Sequence, residues 1–314
     1  MKNNSYDYLL KLIGVGLFVY FIFKVDFSSL AKILYNVNIY FFVLALSLFF
    51  FMLYFKTLKW HIVLKSLNID LPFVTALRYQ VAGNYFSGLM PGRIGDAVRI
   101  FYLRDNNVTF ARSILSILME KFFELVVALG FATIGVVQFV HNKQFLILFL
   151  SFSTTIFFLI VLFVIFPSSF IAITQKIISN SKFHFLLKLN IFFDELKSLN
   201  TRFYLKLILI STITMFLYYI QVLLLSYALD LSLSIFTMFG LVGFALISSL
   251  VPITYMGIGF RDGAYIYCFA ELGRTDEMAI ALSLLILGLH LINQVILFIL
   301  FIVVKKDSKR TTFT

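Results

Sequence analysis

Charged side chains are scarce in this chain, and those that interrupt its apolar stretches gather in three places. In LMPGRIGDAVR (residues 89–99), Arg93, Asp96 and Arg99 recur every three residues beyond Pro91. That spacing puts them on one stripe of a short helix. Gly92 and Gly95 beside them let other backbone or a ligand come close. Backbone amides at such a helix start, with two arginines at hand, suit a phosphate. In LMEKFFEL (118–125), Glu120 and Glu124 stand one turn apart on one face, with Lys121 between them. In LVPITYMGIGFRDGAY (250–265), Pro252, Gly257 and Gly259 precede Arg261 and Asp262. His290, with Asn293 and Gln294 close by, sits inside the last apolar run.

Each group has a plainer reading. The first break reads equally as an interfacial loop with a local salt bridge, and the second as a tight extracellular turn. Glu120, Lys121 and Glu124 resist it more. Counted from Arg112 at ~1.5 Å per residue, Glu124 lies ~18 Å into its span, near mid-bilayer. A charge there costs ~2.5–3.5 kcal/mol even on the lenient insertion scale, so it calls for an interior partner. Arg93, Arg99 and Arg261 are the expected partners, in a binding site or in a purely structural ion-pair cluster. His290 reads as a helix–helix hydrogen-bond donor or as a proton relay. The spacing of two glutamates and a histidine fits no metal motif, so no metal is expected. No other cofactor is expected, and no G-x-x-x-x-G-K-[ST] loop occurs.

These residues must be positioned by membrane-spanning helices. Hydrophobic residues make up 61% of the chain and charged residues 13%, and mean hydropathy is +0.99. Stretches of ~20 apolar residues predict six full spans at ~8–25, ~38–56, ~112–139, ~144–166, ~204–229 and ~277–304. The first lacks a small-residue cleavage site and reads as a retained helix. The single cysteine, Cys268, excludes a disulfide framework.

Lysines and arginines set the orientation. Lys56, Lys59 and Lys65 after the second span, the lysine-rich stretch 168–206 and the tail all read as cytoplasmic, so both termini are expected inside. The net charge of +11 reflects this bias and attraction to anionic lipid rather than nucleic acid. The stretch 168–206, with Phe183, Phe185, Leu186, Leu189, Phe192, Phe193 and Leu196 among its lysines, predicts an amphipathic connection on the cytoplasmic surface.

Given that topology, the broken segments ~73–104 and ~234–273 must each enter and leave from one face, on opposite sides. The fold expected is an all-α integral membrane domain over 1–314, with six spans and two re-entrant broken helices. Its halves, roughly 1–140 and 141–304, form an inverted repeat with a site where the broken elements meet.

The runs NYFSGLMPGRIGDAVR (84–99), LMEKFFEL (118–125) and VPITYMGIGFRDGAY (251–265) resemble, in order and spacing, the flippase-like family of the lysylphosphatidylglycerol synthase transmembrane domain and its stand-alone relatives. Pro91, Arg93, Gly95, Asp96 and Arg99 match its P-x-R-x-G-D-x-x-R element. Glu120 matches its E-R-x-x-D element, where Lys121 and Glu124 replace Arg and Asp. The late Pro/Gly-rich element is looser, with Thr254-Tyr-Met for Thr-Pro-Gly and Asp262 where Glu is common. His290 stands where an Arg is frequent. The resemblance implies transport of an anionic phospholipid or polyprenyl-phosphate-linked lipid between leaflets. The synthases' aminoacyl-transfer activity belongs to a separate soluble domain and is not expected here.

The residue-level reading agrees with that expectation. Arg93, Arg99 and Arg261 would hold the phosphate, while Asp96, Glu120, Glu124 and Asp262 pair with them when no headgroup is present. Transport is then passive or ion-coupled, with Glu124 and His290 as protonatable candidates. The chain is expected to lie in the cytoplasmic (inner) membrane, with phosphate-headgroup lipids and enzymes of envelope glycolipid synthesis as candidate partners. Two other classes stay open: an intramembrane transferase on a polyprenyl-phosphate-linked lipid, with Glu120 or Asp96 as general base, and a scaffold that presents lipid to an enzyme.

Overall fold

The protein is described by a computed structural model covering residues 16, 20, 21, 23, 25–90, 95–166, 169, 196, 199–249 and 258–310. Among these residues the secondary structure is helical. The first helices are α1 (Phe27–Tyr35), α2 (Ile39–Ser66), α3 (Phe73–Leu89), α4 (Val98–Asp105) and α5 (Phe110–Phe139). They are followed by α6 (Lys143–Ile165), α7 (Thr201–Ala228), α8 (Ile235–Ser249), α9 (Phe260–Glu271) and α10 (Asp276–Arg310). Among the described residues, five stretches are long and apolar enough to cross a membrane: α2, α5, α6, α7 and Asp276–Val303 of α10. They match five of the six expected spans. The expected span ~8–25 falls almost wholly outside the described residues, as do Phe183–Phe193 of the amphipathic connection.

Helix starts follow local rules. Asn38, Asn142 and Asn200 each cap a spanning helix by accepting an N–H from Tyr40, Phe145 and Phe203 respectively. Asp26 does the same for α1, accepting from Ser28 and Ser29. Pro72 stands immediately before α3, where its missing N–H costs nothing.

α2 departs from its expected boundary. It runs unbroken to Ser66 rather than stopping near residue 56, because no breaker interrupts KTLKWHIVLK. Lys59, read from sequence as a loop charge marking the cytoplasmic side, is instead on this helix and fully buried.

Two pairs of helices are too short to span. At ~1.5 Å per residue, the 17-residue α3 and the 15-residue α8 fall short of a ~30 Å hydrocarbon layer. Each is followed in the chain by a second short helix packed against it, α4 on α3 and α9 on α8.

The long helices brace these elements. α2 lies along α7, and α8 lies along α5. The α5–α8 approach is close because a β-carbon at Gly135 would run into the backbone of Phe244, and one at Gly243 into that of Phe131. One apolar core surrounds α7, α8, α9 and α10. A second joins α2, α5 and α7 around Trp60, Leu64, Phe123 and Tyr204.

Candidate functional site

Arg99, the second residue of α4, is fully buried and gathers groups from three other helices. Its Nη1 donates to Glu120 Oε2 of α5 at 2.6 Å and to Gln80 Oε1 of α3 at 2.7 Å. Its Nη2 donates to Asp96 Oδ1 at 3.2 Å. The guanidinium also lies 4.7 Å over the ring of Trp60 on α2, a cation–π contact strengthened by burial.

Asp96 sits in the tight turn 95–97 that leads into α4. This turn docks against the end of α3 so closely that a β-carbon on Gly95 would collide with the Phe86–Ser87 backbone. Only glycine permits that approach.

From Asp96 the network continues. Asp96 Oδ2 is 2.9 Å from Lys121 Nζ, and Lys121 Nζ is 3.3 Å from Glu124 Oε2. Glu124 Oε1 is 2.9 Å from Lys59 Nζ, which also donates to Ser211 Oγ of α7 at 3.3 Å. The order is Glu120, Arg99, Asp96, Lys121, Glu124, Lys59. Charges alternate strictly along it, three carboxylates against three cations.

Placement makes this costly unless paired. Glu124 lies at the midpoint of the 30-residue α5 and Glu120 one turn before it, where an isolated charge is expensive. Exposure is graded along the chain of charges. The side chains of Arg99, Glu120 and Lys59 are 0% exposed, whereas Lys121 is 27% and Glu124 18% exposed. The Lys121–Glu124 link is therefore the accessible part of the network, and both of its ends, Arg99–Glu120 and Lys59, are sealed. One carboxylate oxygen, Glu120 Oε1, is buried without a hydrogen-bond partner among the described residues.

A second cluster forms at the start of α9. Gly259 adopts φ +88, a left-handed conformation that favours glycine, and its N–H donates to Asp262 Oδ2 at 2.7 Å. The other Asp262 oxygen accepts from the Ser283 hydroxyl of α10. Arg261 Nη2 donates to Ser283 Oγ at 3.1 Å and lies 3.4 Å from Asp262 Oδ1. Arg261 and Asp262 are both buried. His290 stands two turns further along α10 from Ser283, and is half-buried.

Asp96, Arg99, Glu120, Lys121 and Glu124 come together, and Arg261 and Asp262 form the second cluster. Glu120 takes Arg99 as expected, but Glu124 pairs with Lys59 and Lys121. Pro91, Gly92, Arg93, Pro252 and Gly257 lie outside the described residues. Sequence reasoning missed Lys59, Trp60, Gln80, Ser211 and Ser283. The available signal was the Lys59–Trp60 pair, the chain's single tryptophan beside a charge.

The family described as the lysylphosphatidylglycerol synthase TM region matches residues 8–297. The chain is also similar to the UPF0104 membrane protein PH1989 of Pyrococcus horikoshii, 22% identical over 123 residues. That match covers 38% of this chain and 37% of the relative, so it spans little more than a third of either protein.

Proposed function

The chain belongs to the lysylphosphatidylglycerol synthase TM region family, and from that premise we propose that it moves lipids with a phosphate-containing headgroup between bilayer leaflets. The headgroup passes the charged site while the tails stay in lipid. The observation that carries this reading is the alternating network from Glu120 to Lys59. A neutral chain of six charges at mid-span is a poor way to gain stability, since apolar packing does as well or better. It suits a site that must repeatedly accept and release a charged group.

The network has a natural opening point. Breaking the Lys121–Glu124 contact divides it into Glu120–Arg99–Asp96–Lys121 and Glu124–Lys59. Both fragments are neutral, and every charge keeps a partner. Lys121, the most exposed cation, is then the group that takes the phosphate. Arg99, sealed by Glu120, Gln80, Asp96 and Trp60, holds Asp96 and Glu120 in place.

Packing supports an inverted-repeat scheme for the movement. α3 with α4 corresponds to α8 with α9, α2 to α7, and α5 to α10. Contacts exchange accordingly: α8 packs on α5, and α3 packs on α10. Rocking of one half on the other about the α2–α7 contact would present the site to each leaflet in turn.

The test is reconstitution in vesicles with fluorescent phospholipids and polyprenyl phosphates, with leaflet exchange followed by dithionite quenching. Wild-type exchange that disappears in Glu120→Gln, at equal insertion and helicity, is the expected result. Equal exchange in that variant overturns the assignment. A lipid product of changed mass would replace it with an intramembrane transferase.

A further inference from the structure

Tyr265 lies one turn beyond Arg261 on α9 and is 0% exposed, yet its hydroxyl has no hydrogen-bond partner among the described residues. A buried phenol normally finds one, because leaving it unmet forfeits its hydration. The nearby acceptor does not serve: the carboxylate of Asp262 is taken up by the Gly259 N–H, the Ser283 hydroxyl and Arg261. Arg261 and Asp262 precede Tyr265 on α9 by four and three residues, the spacing of neighbours on one helix face, and Tyr218 of α7 packs on the same apolar core as Tyr265. A phenol O–H beside a guanidinium suits one class of ligand, an oxyanion that accepts from both.

The neighbourhood links this place to the first cluster. Tyr218 lies two turns along α7 from Ser211, the residue that accepts from Lys59. Two turns are ~10.5 Å, and Thr214 lies between them on the same face. One face of α7 thus runs from the Lys59–Glu124 end of the first network to Tyr265.

We propose that Tyr265, with Arg261, forms a second phosphate-oxyanion station in the latter half of the chain, the hydroxyl donating to a phosphate oxygen of the headgroup. This rests on the transport reading above. It adds a residue outside the charged motifs and a course for the headgroup, from Lys121 along α7 to Tyr265.

Tyr265→Phe tests it, because the variant removes only the unmet hydroxyl and is expected to fold at least as stably as wild type. Two readouts are compared in the full chain. One is leaflet exchange of fluorescent phosphatidylglycerol in vesicles. The other is the rise in Tm on adding short-chain phosphatidylglycerol, or inorganic phosphate, to detergent-purified protein. The variant is expected to exchange lipid roughly tenfold or more slowly, as loss of a hydrogen bond to a charged group implies, and to lose the ligand-induced rise. A rise with inorganic phosphate as well as lipid would assign the station to free phosphate too; a rise with lipid alone would assign it to the headgroup.

Unchanged exchange and an unchanged ligand-induced rise in Tyr265→Phe overturn the station and leave the transport reading standing. Wild type that moves no lipid, while Tyr265→Phe still loses the phosphate-induced rise, overturns transport and keeps the station.

Discussion

Asp96 divides its two carboxylate oxygens between Arg99, at 3.2 Å, and Lys121, at 2.9 Å. It is thereby the joint between the sealed Arg99–Glu120 end of the network and its accessible Lys121–Glu124 link. Arg99 alone would be a buried ion pair with Glu120, and Lys121 alone a helix-surface pair with Glu124. Asp96 makes the two a single object, and it comes from the short turn between α3 and α4.

Replacing Asp96 with Asn should therefore damage both ends. Breaking a buried pair on one side costs about 3–5 kcal/mol, and the variant should be destabilised by about that amount. Leaflet exchange should fall to background, whereas Asp96→Glu should retain part of it. Thermal unfolding in detergent, alongside the vesicle assay, checks both.

The Lys59–Glu124 pair should show strong coupling. Lys59→Met takes away one of Glu124's two salt-bridge partners among the described residues, leaving Lys121, and should cost about 3–5 kcal/mol. Lys59→Met combined with Glu124→Gln removes the charge as well as its partner, and should recover most of that loss. Exchange should stay absent in the double variant. A double-mutant cycle on Tm, with exchange measured in parallel, separates the pair's part in folding from its part in transport.

Gly83 should be intolerant for a reason visible only in three dimensions. A β-carbon there would sit 3.0 Å from Cγ and Cδ of Arg99. Gly83→Ala should force the arginine off Glu120 and Gln80, at about 1–3 kcal/mol of overpacking, and slow exchange. Gly130→Ala is the control. Its β-carbon would make only an ordinary 3.5 Å contact with Phe157, so exchange should be unchanged.

The α1 cap gives a pH prediction away from the membrane spans. Hydrogen bonds from Ser29 and Ser28 lower the Asp26 pKa from 3.8 to about 2. A depressed folded pKa means the cap's contribution is fully present above the unfolded value and fades as pH falls from about 3.8 through about 2. Amide exchange over 27–35 should accelerate in that window. Asp26→Asn, which still caps without titrating, should flatten the response.

Much of the molecule follows from sequence alone. Apolar runs of spanning length give α2, α5, α6, α7 and α10, because a bilayer admits little else, and asparagines mark where three of them start. Asp96 and Arg99 at the start of α4, and Glu120, Lys121 and Glu124 on α5, stand out in the sequence, since charges in apolar stretches call for partners. Tertiary structure decided who those partners are. Lys59 looked like a loop charge because hydropathy windows end spans at the first lysines. It belongs to the site because α2 continues past them and lies along α7, where Ser211 meets it. Gln80 and Ser283 are unremarkable polar residues in one dimension. Packing of α3 against α4, and of α9 against α10, turns them into ligands of Arg99 and Arg261. Periodicity shows which face of a helix a charge occupies, but the residue across from it is set by how whole helices cross, and local spacing carries no trace of that.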